Sequence, residues 1–331
     1  MAEKKKMSKK ILTMIICLSL CLVLAIALVV YYFGNNPENW NKVSSKEIKL
    51  AGLNDGFTPQ GLCYISETGD YMISGYMKNK SDSRIYIINK ESGESKYFTI
   101  KSENKDIQRG HLGGITQRGN HVWISSDDSI ITLNYSECVN VQNGGFVEVI
   151  NVVPTCTNAS FCFLDEKGLW VGEFYRPKNY ETDQNHYFNV SETEINHAIA
   201  TRYNFNADNL NGIDSAPSCA VSLPDQVQGV AVLPDGRIVL STSYGLPNSK
   251  ILVYSNEWSK ATTHKITVQE TEVDLYVLSS LNLQKTITVP SMAEGIVYSN
   301  GSLKILFENA SKKYRLFTRN RIEHVMGINI D

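Results

Sequence analysis

The sequence has no surplus of charge: 32 Lys and Arg stand against 34 Asp and Glu in 331 residues, a formal net charge of −2. No long basic stretch follows the lysines at the N-terminus. Nothing therefore marks the chain as a nucleic-acid binder. It lacks the G-x-S-x-G elbow, the H-E-x-x-H zinc pair, the EF-hand loop and the P-loop, so no motif announces a chemistry outright. Beyond residue 34 it also lacks the C-x-x-C spacing of zinc and redox sites. The cysteines there are Cys63, Cys138, Cys156, Cys162 and Cys219, an odd number. Cys63 and Cys162 fall within apolar strands and read as small core hydrophobes. A bridge among Cys138, Cys156 and Cys219 is allowed chemically outside the cell.

One long apolar run is present. Residues 11–33 carry no charge, and a membrane-spanning helix needs ~20 residues. Lys4, Lys5, Lys6, Lys9 and Lys10 precede it, which places the N-terminus in the cytoplasm and the rest of the chain outside. A cleaved signal peptide is the alternative. Against it, the apolar run continues past Ala25-Ile26-Ala27 to Tyr31 and Tyr32. The expected organisation is a basic cytoplasmic tail (1–10), a transmembrane signal anchor (11–33), a polar linker (34–44) and one extracellular domain (45–331) on a single-pass cell-membrane protein.

That domain repeats itself. A small residue followed by an apolar strand recurs at Gln60-Gly61-Leu62, Gly113-Gly114-Ile115, Ala159-Ser160-Phe161, Gln228-Gly229-Val230 and Glu294-Gly295-Ile296. Strand-built repeats spaced by roughly 45–70 residues mean a radial array such as a β-propeller. Each repeat divides into strands A to D, with D of the second expected at 146–152. The fifth has no fourth strand after residue 328, and residues 47–50 supply one. An N-terminal strand then closes the ring and removes the open edges. The fold class is all-β, a five-bladed propeller. Six blades is the alternative if the insertion of the fourth repeat, with a hairpin at 265–268 and 274–278, makes its own blade. The glycines that open the A strands have a packing reason, since inner strands crowd around the axis.

Propeller topology converges the residues before strand A and after strand B on one face. The first group is Gln60, His111, Asn158, Gln228 and Glu294. The second includes Tyr76, Asp127, Asp128, Glu173, Tyr175, Ser243, Tyr244, Glu308 and Asn309. Such a channel mouth is a concave polar site with aromatic walls. Three chemistries fit the set. Acids and amide carbonyls hold a hard cation such as Ca²⁺, with Glu294 as its ligand. Two acids, for example Glu294 and Glu173, work as an acid–base pair on a glycosidic or ester bond. Or the ring hydrogen-bonds across the channel around trapped water, with no activity. Glu294 and Glu308 are expected side by side, with Lys313 or Arg315 as a candidate counter-ion.

Gln228-Gly229-Val230-Ala231-Val232 with Leu240-Ser241-Thr242-Ser243-Tyr244-Gly245 resembles a group of uncharacterised secreted bacterial propellers. Pro290-Ser291-Met292-Ala293-Glu294-Gly295 with Leu306-Phe307-Glu308-Asn309-Ala310 and Lys313-Tyr314 resembles the same group. The likeness covers most of residues 55–331. More distantly, Glu294-Gly295 at the head of an inner strand is similar to the metal-binding Glu-Gly of calcium-dependent lactonases of the gluconolactonase and senescence-marker type. The other entrances depart from that pattern with Gln60 and Gln228. The expectation is a membrane-anchored extracellular propeller that binds a small molecule, glycan or protein at its channel mouth. The alternative is a lactonase-like or glycosidase-like hydrolase using channel-mouth carboxylates, with or without a divalent cation.

Overall fold

The computed structural model describes residues 8–34, 37, 40–318 and 320–330. Lys4, Lys5 and Lys6 of the basic tail, and linker positions 35, 36, 38 and 39, lie outside the described residues. The chain divides into two units, Met1–Asn36 and Pro37–Asp331. The first is one helix, Lys9–Gly34. Its stretch Lys9–Val29 has a mean hydropathy of 3.0 and buries no side chain. It is long and apolar enough to cross a membrane, a test that a signal sequence also passes.

The second unit is a five-bladed β-propeller. Blade 1 runs outward through Phe57–Tyr64, Tyr71–Met77, Arg84–Ile88 and Ser95–Lys101, and blade 2 through Gly114–Arg118, His121–Ser126, Ser129–Asn134 and Asn151–Pro154. Blade 3 uses Phe161–Leu164, Gly168–Gly172, Ala198–Asn204 and Cys219–Leu223, and blade 4 uses Val227–Val232, Ile238–Thr242, Ser249–Tyr254 and Leu283–Val289. Burial explains their composition. The second strand of blade 3, Gly168–Gly172, is buried at every position and apolar throughout, whereas the outer strand Leu283–Val289 is largely exposed and carries Gln284, Lys285 and Thr286.

Blade 5 joins the two ends of this unit. Ala293–Ser299, Ser302–Phe307 and His324–Ile328 are completed by Ser44–Lys49, with Ser45 opposite Gly327 and Lys46 opposite Met326. Glu47 Oε1 meets the buried Lys304 Nζ at 2.6 Å across this blade. The linker is shorter than its polarity suggests. Trp40 is buried, 5.8 Å edge-on from Phe307, so the propeller begins before residue 45.

Two elements depart from the repeat. The expected strand 146–152 is split. Phe146–Glu148 pairs in parallel with the outer strand of blade 1, and only Asn151–Pro154 stays in blade 2. The cause is capture of an open edge: Gly144 N donates to Tyr97 O at 2.7 Å and Thr99 N to Gly145 O at 3.0 Å. The insertion of the fourth repeat behaves likewise. Its strand Thr271–Val277 pairs in parallel with Cys219–Leu223 of blade 3, so it widens an existing blade and makes no sixth.

The inner strands pack backbone to backbone around the axis. A Cβ on Gly295 would lie 2.8 Å from Leu62 N and 2.9 Å from Gln60 O, closer than side-chain carbons approach. Glycine there brings blade 5 against blade 1. All seven cysteines are free among the described residues, including Cys138, Cys156 and Cys219. Burial pushes the Cys63 and Cys162 thiols up to about 12, so both are inert core groups.

Candidate functional site

Three inner strands carry a β-bulge at their entrances. In blade 1 the pairing skips from Pro59 to Gly61, and in blade 4 from Val227 to Gly229. In blade 5 it skips from Ala293 to Ile296. The residues left unpaired are Gln60, Gln228 and the Glu294-Gly295 dipeptide. A bulge breaks the alternation of a strand and re-aims one side chain. Gln226 and Met292, two residues ahead of Gln228 and Glu294, take left-handed backbone angles with φ of 65° and 63°. Bulky residues are held there only where the surroundings impose it.

The bulges open onto a cavity of about 830 Å³. The structure places Gln60, Tyr76, His111, Asp127, Asn158, Gln228, Tyr244, Glu294 and Glu308 on its lining, with Asp128, Ser243, Phe174, Tyr180, Lys313 and Tyr314. Glu173 is elsewhere. It is buried, accepts from Ile199 N at 3.1 Å and lies 2.9 Å from His186 Nδ1. Tyr175 likewise stacks on His197, 4.4 Å away. The residue that faces the cavity between them is Phe174. Side chains alternate along extended backbone, so a reading displaced by one residue exchanges the two faces. Asn309 serves the scaffold: its side chain bonds Ser291 O and Ile322 N, each at 2.9 Å.

At the buried end, Gln60 Nε2 donates to Glu308 Oε2 at 2.9 Å. Its second hydrogen goes to Pro59 O at 2.8 Å. Glu294 lines the same cavity as Glu308, close enough for the two acids to perturb each other, and its main chain is fixed by Ser241 Oγ, which donates to Glu294 O at 2.6 Å. Both acids are buried. Burial and the neighbouring Glu308 raise the Glu294 carboxyl well above the usual range, so it keeps its proton. Burial raises Glu308 to about 7, against the pull of Lys313 and Gln60, which favour its anion. The pair holds at least one proton between two carboxyls at neutral pH.

Two aromatic groups flank the pair. In one, Lys313 Nζ donates to Tyr76 OH at 2.5 Å and sits 4.7 Å from the ring centres of Tyr76 and Tyr314. His111 stacks on Tyr76 at 4.7 Å. His111 is exposed to solvent; the surrounding protein and the Lys313 charge pull its imidazole below the ordinary range, an effect that this exposure weakens, and it is neutral at pH 7. In the other, Phe174, Tyr180 and Tyr244 pack together, and the Arg176 guanidinium covers Tyr244 at 3.6 Å. Phe174, Tyr180 and the cavity-facing position of Lys313 have no local sequence signal, since each depends on how a long loop folds back.

The donor set does not fit calcium. Ca²⁺ takes about 6–8 oxygen ligands. Here Gln60 turns its NH₂ toward Glu308, and the Lys313 ammonium lies on the same cavity wall. No three His, Cys, Asp or Glu side chains converge on one point among the described residues. Arg315, the other candidate counter-ion, instead donates to Asn54 Oδ1 at 2.9 Å.

No protein-family model matches the chain, and no curated protein matches it. Among solved structures it is similar to the PQQ-bound aldose sugar dehydrogenase of Streptomyces coelicolor, at 14% identity and a TM-score of 0.43, over 80% of this chain and 77% of that one. It is similar to the glutaminyl cyclase of Myxococcus xanthus at 10% identity and 0.45, over 87% and 96%. The WD40 propeller domain of Doa1 matches at 11% and 0.40, over 82% and 84%. At these identities the likeness is one of fold.

Proposed function

We propose that this chain is a binding propeller, anchored in the cell membrane by its N-terminal helix with the propeller outside, and that its channel mouth takes a small, neutral, polyhydroxylated molecule. The anchor reading is supported by the unburied apolar stretch Lys9–Val29 and the lysines that precede and open it. The binding reading is carried by one observation. A proton-sharing carboxyl pair capped by Gln60 lies at the buried end of a cavity lined by five Phe and Tyr rings. Hydroxyl groups both donate and accept, which matches carboxyl, carboxylate and amide together. Aromatic faces suit the apolar faces of a sugar-like ring. The Glu308 anion and the Lys313 ammonium offset each other, and the rim acids Asp127 and Asp128 accept bonds from Ser126 and Ser129. The buried end thus favours a ligand without net charge.

A second reading has its own support. Two carboxyls sharing one proton can act as acid and base on a carbonyl without a metal, which keeps lactone and ester hydrolysis open for this site.

The test is a thermal-shift screen with monosaccharides, disaccharides, sugar alcohols and sugar lactones. A ligand at 100 times its Kd stabilises by about 2.7 kcal/mol. At least one compound is expected to raise Tm in the wild type and not in Gln60→Ala or Glu308→Gln. No response, or one that survives both substitutions, overturns the reading. Lactone turnover lost in Glu294→Gln would move the conclusion to the hydrolase.

A further inference from the structure

Lys313 is unlike the chain's other well-placed lysines. Lys304 is paired with Glu47, Lys101 with Glu148, and Lys260 with Glu257, all at 2.6 Å. Lys96 is spent on the carbonyls of Val139 and Val141. Lys313 makes no ion pair among the described residues, and its hydrogen bond is to Tyr76 OH. It stands between two tyrosine rings on the wall of a cavity, beside a carboxyl pair that can take and return a proton. An ammonium has three donors, so two remain for whatever enters.

From this geometry we infer that Lys313 captures its ligand covalently, condensing with the aldehyde or ketone carbon of a hydroxy-carbonyl compound to form a Schiff base. The inference rests on the reading of this cavity as a ligand site and narrows the ligand to a carbonyl class. A lysine acts as a nucleophile when apolar surroundings disfavour its charge. Burial does lower the Lys313 ammonium below its ordinary range, although Glu308 and Glu294 pull the other way.

The steps balance. The ammonium loses a proton to the Glu308 carboxylate through water in the cavity, since the two groups are beyond ion-pair distance. The free amine adds to the carbonyl carbon. The carbonyl oxygen takes a proton from Glu294, and the new ammonium nitrogen returns one to it, leaving a neutral carbinolamine. Glu308 then protonates the hydroxyl, which leaves as water while the nitrogen lone pair forms the C=N bond. The products are a protonated Schiff base and water, with both carboxyls as they began. Nothing is oxidised or reduced. The cation stays beside the Glu308 anion and between the Tyr76 and Tyr314 faces.

The probe is glycolaldehyde with sodium cyanoborohydride at neutral pH, applied to the full chain. Reduction fixes the adduct, and peptide mass mapping locates it. Lys313 is expected to label at least about tenfold faster than exposed lysines such as Lys80 and Lys90, because the cavity holds the aldehyde against it. Glu308→Gln is expected to slow that labelling without changing the surface rate. Lys313 labelling no faster than the surface, with the polyol response in the thermal screen intact, overturns the capture and leaves the binding reading standing. Fast labelling of Lys313 with no polyol response supports the capture and overturns the neutral-polyol reading. The wild-type comparison of lysines within one molecule does not depend on any variant folding.

Discussion

Gln60 and Glu308 are 248 positions apart in the chain and meet at 2.9 Å. The first inner strand supplies the amide, and the last blade supplies the acid. Their contact exists only when the ring is closed, so closure and the buried end of the cavity are formed together. Closure itself depends on Ser44–Lys49 pairing with His324–Ile328.

The closing strand carries the first prediction. Lys304 is 3% exposed, and Glu47 is its counter-ion. Removing one partner of a buried pair typically costs about 3–5 kcal/mol. Glu47 is itself partly accessible, so Glu47→Ala should fall at the low end, roughly 3 kcal/mol by denaturant titration. Deleting residues 45–52 should leave an open edge and no cooperative melt at the wild-type temperature. A deletion that melts where the intact domain does contradicts closure.

Gly295 carries the second. An added methyl group would meet the backbone of Leu62 and Gln60 inside 3 Å. Gly295→Ala should cost about 1–3 kcal/mol by overpacking. It should also push Gln60 away from Glu308, so any polyol response should weaken along with stability. The same substitution at the exposed Gly93, whose neighbourhood is open, tests conformational strain alone, because its φ is positive. Equal losses at both positions would remove the packing argument.

The much greater part of the architecture is legible from residues. Arg84–Ile88, Cys219–Leu223 and Leu283–Val289 can be read to the residue because turn formers bound apolar runs. The strand missing after residue 328 is legible because an unused one precedes the first repeat. Phe146–Glu148 and Thr271–Val277 are not legible as edge additions, because a captured strand looks the same whichever blade it joins. The site shows the same division. Residues at strand entrances, such as Gln60, Gln228 and Glu294, follow from topology. Glu173 against Phe174 is a question of parity past the last paired residue, and no pattern resolves it. Lys313 reaches the cavity only because Asn309 pins the base of its loop and Thr318 Oγ1 donates back to Asn309 O at 2.7 Å.

Acid titration supplies the third prediction. Glu308 is raised from 4.5 to about 7 in the folded chain, so the folded state binds more protons than the unfolded one between those values. Its contribution is fully present below pH 4.5 and is lost as pH rises through about 7. His111, lowered from 6.5 to about 4, has the opposite sign between those limits. Glu294, Lys313, Tyr76, Tyr314 and Gln60 also face this end of the cavity and are common to both proteins. The difference between Glu308→Gln and wild type isolates the acid. The variant should gain on wild type by up to roughly 3 kcal/mol as pH rises from 5 to 8. A difference that stays flat contradicts a shared proton in this cavity.

Calorimetric titration of the panel compound with the largest thermal shift bears most directly on the cavity as the binding site. It should be run on wild type, Glu308→Gln and Glu173→Gln at one pH. Glu308 lines the cavity, whereas Glu173 is buried on the far side of its strand end beside His186. The expected result is binding in wild type, a loss of at least about tenfold in Glu308→Gln, equivalent to 1.4 kcal/mol, and unchanged affinity in Glu173→Gln even where its stability falls. Equal affinity in wild type and Glu308→Gln, or a loss confined to Glu173→Gln, would contradict the account.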